Sequence, residues 1–207
     1  MGKFKLVGAA VMALLITSPL TQEARAVDDI DKTYIRSLAA PGKTVLVIEY
    51  YDGAGKVVER KGFASGSGYK AVSPTDIKVN DRVALHLYGL EPCQGEMVNR
   101  GENYSGSCAA YAEQQLQIML KSPKVIFCRA FVSEQNAPAQ DASCYGYYNY
   151  PGSLDAIDMF EEQLVSLGAL RLSRKTDGTV MRPDLIAAEK IGSGGYGMWA
   201  DPRIKNQ

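Results

Sequence analysis

The sequence predicts a β-rich α+β fold: a five-stranded OB-type barrel with about three appended helices. Three observations predict it. β-branched and aromatic runs bounded by turn signals fill the first part of the chain. From Cys108 the apolar period switches to three and four, the spacing of an amphipathic helix. Two further strand-like runs and two helix-like segments follow, and the order strands, helix, two strands, helix, helix is the one such a barrel shows.

Taken in order, Val27 to Pro41 is polar and reads as a loose lead-in or a short helix. Thr44 to Tyr51 is a β-branched and aromatic strand, Asp52-Gly53-Ala54-Gly55 a turn, and Lys56 to Phe63 the returning strand. Ser65 to Gly68 breaks the pattern. Ile77 to Val79 and Arg82 to Tyr88 flank a turn at Asn80-Asp81. Ala109, Ala112, Leu116, Met119 and Leu120 mark a helix that stops before Pro123. Lys124 to Val132 and Ala142 to Tyr148 are strands around the polar loop Ser133 to Gln140. Ser153 is a candidate N-cap for a helix carrying Leu154, Ile157, Phe160, Leu164 and Val165, ending at Gly168. A last helix is expected from Arg182 to Ile191, with Pro183 in its first turn.

The N-terminus has the pattern of a signal peptide. Lys3 and Lys5 precede an apolar stretch from Leu6 to Leu20, and Ala24-Arg25-Ala26 is a small-x-small cleavage site. The expected mature start is Val27, the expected location periplasmic or secreted, and no later segment is apolar enough to span a bilayer. The whole chain of 207 residues carries 23 basic and 23 acidic side chains, and removing the signal leaves it slightly acidic. Non-specific nucleic-acid binding rests on Lys and Arg neutralising phosphates, so this balance does not favour an avid nucleic-acid binder.

Four cysteines, Cys93, Cys108, Cys128 and Cys144, point to disulfides in an exported chain. Zinc is disfavoured, because there is no Cys-x-x-Cys pair and His86 is the single histidine. Number alone allows three connectivities. If the strands around Asn136 form an antiparallel hairpin, Cys128 faces Cys144 with β-carbons about 4.5–5.5 Å apart, within reach of a bridge. Cys93 then pairs with Cys108.

Leu87-Tyr88-Gly89-Leu90-Glu91-Pro92-Cys93, Tyr104-Ser105-Gly106-Ser107-Cys108, Leu164-Val165-Ser166-Leu167-Gly168-Ala169 and Gly197-Met198-Trp199-Ala200 occur in that order. Together they resemble the thermonuclease (staphylococcal-nuclease-like) family, in its exported, cysteine-bearing bacterial branch. The resemblance covers roughly Lys70 to Pro202 and implies the same barrel. It divides the chain into a signal peptide (1–26), an N-terminal extension with a hairpin (27–68), a thermonuclease-like domain (69–202) and a tail (203–207).

A thermonuclease site hydrolyses phosphodiesters with one calcium held by carboxylates, a glutamate that prepares water, and two arginines that clamp the phosphate. The resemblance puts His86 at the first arginine, Glu91 at one metal aspartate and Cys93, after a one-residue deletion, at the glutamate, with Glu96 the nearest substitute. The other metal aspartate falls on Thr75, with Asp76 next to it, or in an alternative register on Ala54. The second arginine falls in Gln135 to Ala139, and Arg129 is the nearest on the preceding strand. A neutral histidine offers no two-pronged phosphate clamp, and one carboxylate makes a poor calcium site. No catalytic residue, metal or cofactor is therefore assigned; calcium at Glu91 belongs to the alternative.

The expectation is a catalytically degenerate homologue acting as a binding or assembly module, with an envelope protein or polysaccharide as the candidate partner. The alternative is a weak or altered calcium-dependent phosphodiesterase on single-stranded DNA or RNA, using Glu91, Glu96, Asp76 and Arg100. Tyr145, Tyr147, Tyr148 and Tyr150 read first as packing residues and second as a stacking platform. Ser193 to Gly197 follows a helix, so it reads as a helix stop that lets Trp199 fold back, not as a phosphate loop.

Overall fold

The computed structural model describes residues 30–150, 152 and 155–205. The signal-peptide features and the cap at Ser153 lie outside them. Helix α1 (Lys32–Ser37), capped by the Asp31 carboxylate on the Tyr34 N–H, precedes a hairpin of β1 (Thr44–Tyr51) and β2 (Val57–Ser65). β3 (Lys70–Ala71), β4 (Asp76–Lys78) and β5 (Ala84–Leu87) form a meander, followed by β6 (Leu90–Glu91) and a small hairpin of β7 (Glu96–Asn99) and β8 (Tyr104–Ser107). Helix α2 (Cys108–Met119) leads to the long hairpin of β9 (Val125–Phe131) and β10 (Ala139–Tyr148). β11 (Ala156–Met159) runs into α3 (Phe160–Ser166), and β12 (Arg171–Leu172) and α4 (Ile186–Gly192) follow.

The result is a β-rich α+β fold around one eight-stranded sheet, ordered β2-β1-β9-β10-β5-β4-β3 with β11 on the free part of β10. The sheet does not close, which corrects the expectation of a closed five-stranded barrel. Closure would lay β3 along β9. That edge is taken instead by β1, which runs parallel to β9 from Val45–Val125 to Tyr51–Phe131. The reason is length and apolarity: β1 is buried from Leu46 through Tyr50, whereas β3 has two residues. The hairpin assigned to an N-terminal extension thus lies within the main sheet.

A second correction concerns the segment before Gly168. Ile157 is strand, not helix, and α3 begins only at Phe160. β5 covers β10 from Ala139 to Ala142, so the outer edge of Tyr145 to Tyr148 needs backbone partners, and β11 supplies them. β10 also starts at Ala139, three residues earlier than expected, and Val132–Asn136 is a 3-10 turn.

Leu46, Ile48, Ile77, Leu85, Ile126, Phe160 and Leu164 are buried in a common core. Tyr145, Tyr147 and Tyr148 are buried in it too, so packing is their role, while Tyr150 is half exposed. Two disulfides brace the fold. Cys128 and Cys144 are directly opposed on β9 and β10, with Cα atoms 4.1 Å apart, and Cys93 is joined to Cys108 at the start of α2. No helix among the described residues is long and apolar enough to cross a membrane.

Candidate functional site

One face of the sheet carries a polar row that follows from strand register. On β2, β1, β9 and β10 the residues Arg60, Glu49, Arg129 and Ser143 stand side by side. On β10, β5 and β4 the row continues, one alternate position away, as Asp141, His86 and Asp76. Side chains alternate along strands, so all of these share a face.

Glu49 is nearly buried and is held by two arginines. Arg60 Nη2 is 2.8 Å from Oε2, and Arg129 Nε is 3.2 Å from Oε1. Arg129 also lies over the Tyr51 ring, 4.9 Å from its centroid. At the other end, His86 Nδ1 is 2.7 Å from Asp76 Oδ1 and 3.3 Å from Thr75 Oγ1, and Ser73 Oγ donates to Asp76 Oδ2. An aspartate on Nδ1 favours the proton there and leaves Nε2 as a proton acceptor.

Between the two groups lies a cleft of about 270 Å³ lined by Tyr51, Tyr88, Arg129, Phe131, Glu134, Asp141, Ala142 and Ser143. Tyr51 and Phe131 form an aromatic pair with centroids 4.5 Å apart, and Phe131 is half exposed. Burial raises the Asp141 carboxyl above the usual range, and the nearby His86 opposes that rise. The cleft therefore offers flat apolar faces, one engaged guanidinium and two carboxylates.

An ionic cluster of the buried Glu161 and Arg182 with the exposed Asp184 lies beside the stretch of β10 between its β5 and β11 pairings. The Cys144 N–H donates to both Glu161 oxygens, at 3.1 and 3.2 Å. Arg182 Nη1 lies 3.8 Å from Glu161, Nη2 is 2.7 Å from Asp184, and Nη1 donates to the Tyr88 carbonyl at 3.4 Å. The Arg182 stem crosses Gly89 so closely that a Cβ there would lie 2.7 Å from its Cγ, which accounts for the glycine of the Tyr88-Gly89 motif. Burial pushes the Glu161 carboxyl up to about 7 against the pull of Arg182.

The structure brings Thr75, Asp76 and His86 together, sets Arg129 on the same sheet face, and separates Glu91, Cys93, Glu96, Arg100 and Ala54 from them. Glu91 is paired across β6–β12 with Arg171 (Nε–Oε1 3.0 Å) and accepts from Ser173 at 3.3 Å. Cys93 is in its disulfide, and Glu96 and Arg100 are exposed at the two ends of β7, with no hydrogen bond or ion pair to Asp76 or His86. Ala54 sits at the exposed tip of the β1–β2 hairpin. Among the described residues no three His, Cys, Asp or Glu side chains are grouped to hold a metal ion.

Sequence reasoning missed the Glu161–Arg182–Asp184 cluster and the part Glu49 plays. The available signal for Glu161 was a carboxylate set within the apolar stripe Phe160, Leu164 and Val165; for Glu49, one in the middle of the apolar run of β1. Compared with family models, with curated proteins and with solved structures, the chain matches none.

Proposed function

We propose that this chain is an exported, disulfide-braced, thermonuclease-like protein without efficient nuclease activity, which works as a binding or assembly module through the cleft beside Tyr51 and Phe131. The observation that carries the reading is the commitment of the groups a nuclease would need free. Asp76, the nearest acid to the lost metal position, is engaged by His86 and Ser73, and Arg129 is engaged by Glu49. A phosphate clamp needs guanidinium donors turned toward the ligand, and a calcium site needs several free carboxylate oxygens.

The finer fold reading is that of an opened OB-type barrel. What supports it is the order β3-β4-β5-β10-β9, with β5 parallel to β10 and α2 placed between the meander and the second hairpin. Two disulfides suit an oxidising compartment and so support export.

The test is incubation of the purified chain with single-stranded DNA and with RNA, in calcium and then in chelator. The expected result is no cleavage above the level of a His86→Ala, Glu91→Ala double variant. Chelator-sensitive cleavage well above that level overturns the reading and establishes the phosphodiesterase alternative.

A further inference from the structure

Parallel strands β1 and β9 begin side by side, and each is preceded by a lysine. The Val45 N–H donates to the Lys124 carbonyl at 3.0 Å, and Thr44 Oγ1 donates to the Pro123 carbonyl at 3.1 Å. These bonds bring Lys43 and Lys124 to the same end of the sheet. Lys121, one residue past the C-cap of α2 at Leu120, arrives from the helix side. The turn Gly66 to Gly68, tied by Ser65 Oγ to the Gly68 carbonyl at 2.7 Å, closes the rim. The three lysines line one pocket of about 470 Å³, and among the described residues no carboxylate lines it with them.

None of the three amines is in an ion pair among the described residues. Like charges gathered without a counter-ion repel one another, and a bound anion turns that repulsion into attraction. Tyr150 lines the same pocket. It is half exposed and stacks on Tyr148, with centroids 6.0 Å apart and planes within 6°, and Tyr148 is itself fixed by donating to the Met119 carbonyl at 3.1 Å. One face of the Tyr150 ring is thus packed, and the residue remains open to a ligand beside the lysines.

We propose that this pocket binds an acidic polysaccharide, with Lys43, Lys121 and Lys124 on its anionic groups and Tyr150 against an adjoining sugar ring. Lysines are point charges that accept carboxylate or sulfate without the planar two-pronged match an arginine requires. A ring offered singly, in a chain of balanced charge, suits a short stretch of sugar better than the longer run of phosphates and stacked bases that nucleic-acid grooves follow. The site is distinct from the cleft. Thr44 lines one and Tyr51 the other, at opposite ends of β1, roughly 23 Å apart at strand rise. The inference therefore does not depend on the cleft reading.

Calorimetric titration of the purified chain tests it, with oligogalacturonate, a heparin-derived oligosaccharide, a neutral oligosaccharide of equal length and oligo-dT of equal charge. Binding to at least one acidic oligosaccharide, none to the neutral one, and a log–log salt slope near −2, on the order expected for three neutralised charges, are the expected results. The triple variant Lys43→Ala, Lys121→Ala, Lys124→Ala is expected to weaken binding at least about tenfold, a loss of about 1.4 kcal/mol. Tyr150→Ala is expected to weaken binding about threefold without changing the salt slope, as removal of an uncharged stacking face requires. Phe131→Ala in the cleft should leave it unchanged. The proposal is overturned if the triple variant binds as the parent does while folded by melting, if Phe131→Ala abolishes binding, if neither acidic sugar binds, or if oligo-dT binds more tightly than both.

Discussion

Gly168 and Gly197 meet backbone to backbone where the end of α3 packs on the segment after α4. The Met198 N–H donates to the Gly168 carbonyl at 2.8 Å. A Cβ on Gly197 would lie 2.3 Å from that carbonyl oxygen, and one on Gly168 would lie 2.2 Å from the Tyr196 carbonyl oxygen. Both glycines also have positive φ, at +66° and +50°. This contact turns Trp199 back against the core, the role the glycine-rich stretch suggested.

Gly197→Ala and Gly168→Ala should therefore each destabilise the chain by about 3 kcal/mol or more, since backbone overlap adds to the left-handed penalty. Urea unfolding checks it. Gly53→Ala, at an exposed turn with no atom near its Cβ, is the control and should change little. Equal effects at all three would show that the close approach is not what matters.

Glu161 sets a pH dependence. Its folded pKa, pushed up to about 7 chiefly by burial, stands above the 4.5 of an unburied carboxyl, with Arg182 opposing the rise. The folded chain thus keeps a proton that the unfolded chain has released. That contribution is fully present below about pH 4.5 and is lost as pH rises through about 7, up to about 3 kcal/mol. Unfolding free energy measured from pH 5 to pH 8 should fall in the parent, and Glu161→Gln should flatten the curve. An equal slope in the variant would assign the dependence to another group.

Much of this fold was legible because its strands carry their own signals. Thr44 to Tyr51 is a continuous β-branched and aromatic run, and the period change at Cys108 marks α2 at its first residue. What was not legible was which strand takes the free edge of β9, because pairing between strands 80 residues apart is decided by competition that no local pattern records. Ile157 failed for a similar reason: its spacing from Phe160 and Leu164 is helical, but the unpaired edge of β10 draws Ala156–Met159 into the sheet. The site was half legible. Asp76 and His86 each stood out in the sequence, but their pairing across β4 and β5 did not, and Arg182 reaches Tyr88 from 94 residues away.

The two disulfides should differ in what they protect. Each spans a loop of about 15 residues, for which loss is worth roughly 3 kcal/mol on chain-entropy grounds. Cys128 and Cys144 sit within a hairpin at the centre of the main sheet, so replacing both by Ala should lower global stability by that order in urea unfolding. Cys93 and Cys108 enclose the separate β7–β8 hairpin. Replacing both should speed amide hydrogen exchange from Glu96 to Ser107 while β9 and β10 remain protected. Uniform loss of protection in the second variant would refute this local role.

Calcium should not stabilise the chain. A ligand that binds the folded state at about a hundred times its dissociation constant adds about 2.7 kcal/mol, enough to raise the melting temperature by several degrees. Calcium needs six to eight oxygens, yet Asp76 is held by His86 and Ser73, and Glu91 is held by Arg171 and Ser173 on another sheet. Freeing Glu91 would break its ion pair with Arg171, and freeing Asp76 would break its hydrogen bonds to His86 and Ser73. Melting followed in chelator and in millimolar calcium should superimpose, and Glu91→Ala should behave alike in both. A clear calcium-dependent rise that Glu91→Ala abolishes would restore the metal site and, with it, the phosphodiesterase reading.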